Sequence, residues 1–152
     1  MAQLLEHCVG GARMSTTLLG SGTREQASAC FTGDVLSDSP AADFASAAAA
    51  ELAAYGSASL ETMVPHPAMD MPVAQALSFR ITDYVLHSWD LARAIGADET
   101  LNPELVAAVW TGLQPMVPMI AHIGVFGTGP SGTLDESAAL QLRLLDLTGR
   151  RP

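Results

Sequence analysis

The run Thr82-Asp83-Tyr84-Val85-Leu86-His87-Ser88-Trp89-Asp90-Leu91-Ala92-Arg93-Ala94-Ile95-Gly96 sets a carboxylate and an imidazole four residues apart. The rest of the segment has the character of a helix. Side chains at i and i+4 lie one above the other on a helix face, so Asp83 and His87 converge on one point, as two ligands of a divalent metal do. The paired histidines of a helical H-E-x-x-H motif use the same geometry. Such an acid–imidazole pair also stabilises a helix without any ion. Asp90 falls one turn further on, placed to orient a ligand or the helix end.

His7 lies on an earlier helical segment, beside Leu4 and Cys8. Its ordinary reading is a helix-surface or partly buried histidine. Its sharper reading is a third ligand from a neighbouring helix, because helical bundles assemble metal sites from facing helices. Two imidazoles and one carboxylate leave a coordination position for water and suit zinc, with nickel or another first-row ion as alternatives. The other candidates read as structural. His66 sits in a loop between prolines, and His122 follows a proline-interrupted helix in a core or surface role. Cys8 points about 100° away from His7 and reads as core. Trp89 and Trp110 read as core anchors, and Arg93 as a partner of Asp90 or Glu99. The glycine-rich stretch 124–132 lacks the Gly-Lys-Ser/Thr ending of a phosphate-binding loop.

These residues need helices to hold them. Apolar residues recur at helical period from Ala2 to about Leu19, where Gly10-Gly11 weakens the middle but permits tight helix contact. No capping residue precedes this helix. Turn-rich sequence follows to Pro40, then an alanine-rich helix from Asp43 to about Tyr55, with a start near Pro40 also open. Pro65, Pro67 and Pro72 enclose a rigid irregular segment in which a short hairpin or an extended run fits. Pro72 suits the first turn of a long helix, Val73–Ile95, that Gly96 stops. Pro103 opens another helix through Trp110, whose continuation toward Ile123 is broken by Pro115 and Pro118. A last helix is expected from Glu136 to Leu147. The expected fold is one all-α bundle over residues 1–152.

Composition narrows the function. The net charge of -9, with seven basic residues and no basic cluster, argues against nucleic acid and anionic membrane surfaces. Two cysteines are too few for a disulfide framework and match no metal knuckle. No charged run leads into an apolar stretch at the start, and no apolar stretch approaches the roughly 20 residues of a membrane span. A soluble, cytoplasmic protein is the expectation.

The segment from Asp83 to Gly96 resembles the signature of an actinobacterial metal-binding family of the DinB-like superfamily. It is similar to the N-terminal metal-binding domains of mycothiol-dependent maleylpyruvate isomerases. Leu4-Leu5-Glu6-His7-Cys8-Val9-Gly10-Gly11 resembles the family's Asp-Leu-x-x-His-Val-x-Gly-Gly helix, and Leu144 to Pro152 is similar to its last helix and Gly-Arg terminus. The resemblance implies a four-helix bundle and makes His7, Asp83 and His87 the metal ligands, Asp83 standing where the isomerases often carry Glu. It implies a thiol-dependent transferase or isomerase, with a mycothiol-type thiol as cosubstrate deprotonated by the metal. Water activation for hydrolysis is the other use of an open metal position. Family members begin with a further helix, whereas Met1 here starts almost directly on the His7 helix. Either the start at Met1 is a truncated one, or a partner subunit covers the apolar face in a homodimer, which is the expectation taken forward. The isomerases' additional C-terminal domain, which contributes catalytic residues, is not expected within these 152 residues, so maleylpyruvate isomerase activity itself is not the expectation. The alternative to an enzyme is a non-catalytic metal-binding or oligomerisation module.

Overall fold

A computed structural model describes residues 1–118, 120, 124, 126–127 and 129–152. Among them the chain is mostly helical, with one two-stranded hairpin. It packs as two compact units, 1–87 and 88–152. His122 and Ile123 lie outside the described residues.

The first unit begins with α1 (Ala2–Leu19), whose inward face carries Cys8, Val9, Ala12, Met14 and Leu18. The amides of Leu4 and Leu5 donate to the Met1 carbonyl, which starts the helix without a side-chain cap. After Gly20–Gly22 comes a helix absent from the sequence reading, α2 (Arg24–Ala29). Thr23 and Gln26 close a reciprocal capping box at its start, which compensates for its six-residue length. Helix α3 (Pro40–Ser57) starts at its proline, and Ser37 donates its amide and hydroxyl to Asp43 in the first turn. It packs along α1 and buries a single residue, Glu51.

The proline-rich stretch forms an antiparallel hairpin, β1 (Met63–Pro65) with β2 (Asp70–Pro72), in which Val64 faces Met71. Both of these are buried against Met14, Leu18, Val73 and Ala76. That burial holds strands of three residues, far too short to persist alone. Arg24 donates to the His66 carbonyl and to Asp70, closing the turn onto α2. Helix α4 (Val73–Ile95) begins directly after β2. Its first amides donate to the Thr62 and Leu60 carbonyls (2.8 and 2.9 Å), so the chain entering the hairpin serves as the helix cap.

The second unit contains the end of α4, then α5 (Pro103–Leu113) and a 3₁₀ turn at Gln114–Met116. Asn102 caps α5 through the amides of Glu104 and Leu105. The last helix, α6 (Leu140–Leu147), starts later than the expected Glu136. Asp135 captures the Ser137 amide and hydroxyl at 2.8 and 2.6 Å, which holds the preceding residues in a turn. Val106, Val109, Leu113, Leu144 and Leu145 are buried in this unit. Arg150 grips both oxygens of Asp90 (2.8 and 2.6 Å), and Asp146 accepts from the Ser131 amide and from Arg151. No described helix is long and apolar enough to cross a membrane.

Candidate metal centre

The periodicity of α4 puts Asp83 and His87 on one face, and α1 brings His7 to the same point. Asp83 Oδ1 lies 3.0 Å from His7 Nε2 and 3.2 Å from His87 Nε2. The three ligand atoms fall within 4.8 Å of one another. Metal–ligand bonds of about 2.0–2.1 Å place neighbouring ligands of a tetrahedral ion roughly 3.3 Å apart. The two shorter separations are therefore already of the right size, and the donor set of two nitrogens and one oxygen suits a first-row divalent ion. The imidazoles of His7 and His87 meet edge to face, with centroids 4.8 Å apart. All three candidate ligands named from the sequence are thus brought together.

The other oxygen of Asp83 is committed elsewhere. Arg80, three residues earlier on α4, donates to Asp83 Oδ2 through Nη1 at 2.6 Å and to Glu51 Oε1 through Nε at 2.8 Å. Its Nη2 reaches the Cys8 carbonyl at 3.4 Å. Tyr84 donates its hydroxyl to the other Glu51 oxygen, and its ring lies 4.5 Å from the Arg80 guanidinium carbon. Glu51 and Arg80 are almost wholly buried, at 4% and 5% exposure. Charged side chains this deep need partners on every side, and this pair has them.

Gly11 explains how the guanidinium fits. A Cβ there would stand 2.2 Å from Arg80 Nη1 and 2.7 Å from its Cζ. The close approach foreseen at Gly10-Gly11 is therefore specific: α1 is bare at Gly11 so that Arg80 can pass. Gly10 serves a neighbour, since a Cβ there would lie 2.7 Å from the Phe31 ring. Phe31 in turn sits 5.9 Å from the His7 ring.

The electrostatics follow from these contacts. Burial works against the Asp83 charge, but hydrogen bonds from His7 and His87 outweigh it and hold the carboxyl well below the usual range. Burial also opposes the Arg80 charge, and Glu51 and Asp83 more than restore it. The Tyr84 phenol is pushed up to about 12 by burial and by donation to Glu51. Asp83 is thus an anion at neutral pH, ready to accept a proton donor or a cation.

Asp90 pairs with Arg150, and Arg93 with Glu99 at 3.5 Å while stacking over Trp89. His66 accepts from the Ala68 amide through Nδ1 at the hairpin turn. Cys8 and Trp89 are buried, and Trp110 is half-buried beneath Arg143. Sequence reasoning missed Arg80, Glu51 and Tyr84. Two signals were present: a basic residue three before Asp83, and a lone carboxylate within the alanine run 45–54. The chain matches no family model, no curated protein and no solved structure.

Proposed function

We propose that this chain is a divalent-metal-binding helical protein of the DinB-like kind, with His7, Asp83 and His87 as its ligands and zinc as the first candidate ion. The observation that carries the reading is the convergence of three ligand atoms within 4.8 Å from two helices, with His7 and Asp83 lying 76 residues apart in sequence. Three protein ligands leave a position for an exogenous group. A divalent ion held by His7, Asp83 and His87 would supply Lewis acidity that lowers the proton affinity of a thiol at the open position, favouring the thiolate at neutral pH. A small-molecule thiol of the mycothiol type, used in a transferase or isomerase reaction in the cytoplasm, is the substrate class this proposal takes from the family resemblance. A homodimer is a separate proposal to which α1 lends no bare apolar face, since Cys8, Val9, Ala12, Met14 and Leu18 are already buried; a monomeric mass in solution would remove it.

The second reading is a non-catalytic metal-binding module. The 45% exposure of the His7 side chain favours it, because a rim-exposed ligand gives less shelter from water than a buried centre. Elemental analysis of wild type, Asp83→Ala and His87→Ala decides whether the centre exists. About one ion per wild-type chain, lost in both variants, is the expected result. No ion in wild type after incubation with zinc would leave Asp83 and His87 as a helix-stabilising pair. A thiolate charge-transfer band on adding a small thiol to the cobalt-loaded protein would separate the enzyme reading from the binding module.

A further inference from the structure

Asp83 has two oxygens, and the surrounding side chains treat them differently. Oδ1 faces both imidazoles, whereas Oδ2 is held at 2.6 Å by the Arg80 guanidinium. Three contacts fix that guanidinium: Glu51 on Nε, the Cys8 carbonyl on Nη2, and the face of Tyr84. Glu51 is itself fixed by the Tyr84 hydroxyl. The bare backbone at Gly11 gives Arg80 its seat on α1. The bracing group therefore joins all three helices of the site: α1 through Cys8 and Gly11, α3 through Glu51, and α4 through Arg80 and Tyr84.

We propose that Arg80, braced by Glu51 and Tyr84, is the positioning residue of the centre, holding Asp83 so that only Oδ1 is offered to the ion. The proposal rests on the metal-centre reading above. It has one physical consequence. A carboxylate held by one oxygen would bind as a single-point ligand in a fixed direction and leave the rest of the coordination sphere to exogenous groups. Summed over Asp83, Glu51 and Arg80, the group carries one net negative charge, which a divalent ion would turn to one net positive. Arginine suits this place because its planar fork serves two carboxylates at once, which the point charge of lysine does not. Partners that orient metal ligands commonly contribute about 10–100-fold in affinity.

The test compares wild type with Arg80→Lys, which keeps the buried positive charge beside Glu51. Zinc affinity is measured by chelator competition, the cobalt-loaded protein is followed by its visible absorption band, and circular dichroism reports folding. The expected result is zinc binding about tenfold or more weaker in the variant, with an altered cobalt band and unchanged helix content. Unchanged affinity and an unchanged band in a folded Arg80→Lys protein would overturn the proposal, even if its melting temperature falls. Should Arg80→Lys not fold, Glu51→Gln decides by the same two readouts, because it loosens one side of the brace and leaves Arg80 in place. Weaker zinc binding with a changed band supports the proposal, and no change in either overturns it. A wild type that takes up neither zinc nor cobalt refutes the metal centre, and the positioning role falls with it.

Discussion

Replacing Gly11 by alanine sets two opposed effects against each other, and their sizes make the outcome informative. In the interior of a helix, alanine is favoured over glycine by about 0.8–1.0 kcal/mol, so propensity alone makes Gly11→Ala stabilising. Against this, the added Cβ would lie 2.2 Å from Arg80 Nη1 and 3.1 Å from Nη2, distances at which the guanidinium must leave its seat. Displacing it strips Asp83 and the nearly water-free Glu51 of their shared donor. Breaking a buried pair costs about 3–5 kcal/mol. The side chain can swing and recover part of that, which leaves a net destabilisation of about 2–4 kcal/mol. For a chain of this length, that lowers the melting temperature by about 5–15 °C. Gly56 is the internal control. It lies in α3 with nothing within 4 Å of an added Cβ, so Gly56→Ala is stabilising by up to about 1 kcal/mol. Thermal unfolding followed by circular dichroism measures both. A Gly11→Ala protein as stable as Gly56→Ala would show that the guanidinium does not occupy the α1 groove, and the account of the brace would fail.

Three further outcomes follow from named contacts. The neutral form of His66 is favoured by burial and by nearby Arg24, and its Nδ1 accepts from the Ala68 amide. Its contribution to stability is therefore whole above about pH 6.5 and lost as pH falls below that. The loss of melting temperature between pH 7.5 and 5 is expected to be smaller in His66→Gln, and equal slopes would refute the assignment. The Tyr84 phenol, pushed up to about 12, favours folding fully below about pH 10 and less as pH climbs toward its own value. Phenolate absorbance of wild type should titrate above the ordinary tyrosine range, with the latest part missing in Tyr84→Phe; a midpoint near 10 for both tyrosines would contradict the burial described. Arg150→Ala removes the two-pronged bond to Asp90 and is expected to cost about 1–3 kcal/mol, with faster proteolysis of the C-terminal segment. An unchanged melting temperature and cleavage rate would show that this pair contributes nothing.

Part of this arrangement is legible in the sequence because helical period converts directly into position. Asp83 and His87 are four apart, and Pro72 and Gly96 bound the helix that carries them, so their shared face needs no tertiary information. The prolines around the hairpin likewise restrict the chain enough to foresee an extended run. His7 is different: nothing in its own helix points to a residue 76 positions away, so bundle geometry offered it only as one reading of a lone histidine, and the family resemblance gave that reading its weight. Helix α2 was lost because six residues are too few to show a period, although the Thr23-x-x-Gln26 capping box was present. The start of α6 was misplaced because residues 136–139 have helical composition while the Asp135 side chain competes for the local amides. Glu51 and Arg80 escaped for a general reason. Isolated charges on amphipathic helices are read as solvated, and burial of both becomes tolerable only when a partner from another helix supplies the opposite charge.

That pairing also says what the buried charges are for. Apolar side chains of similar volume in place of a buried ion pair are often neutral or stabilising by about 1–4 kcal/mol, so stability alone is a poor reason to keep Glu51 and Arg80 inside. The pair costs α1 a side chain at Gly11 and α3 a carboxylate on a face otherwise formed by Phe44, Ala47, Ala48, Ala54 and Tyr55. In return, it fixes the direction of a single carboxylate whose other oxygen meets two imidazoles. An ordinary helix-stabilising contact between Asp83 and His87 needs none of this, because the i,i+4 spacing already supplies it. The extent of the bracing, from three helices onto one oxygen of one aspartate, is what favours a ligand-binding centre over a structural ion pair.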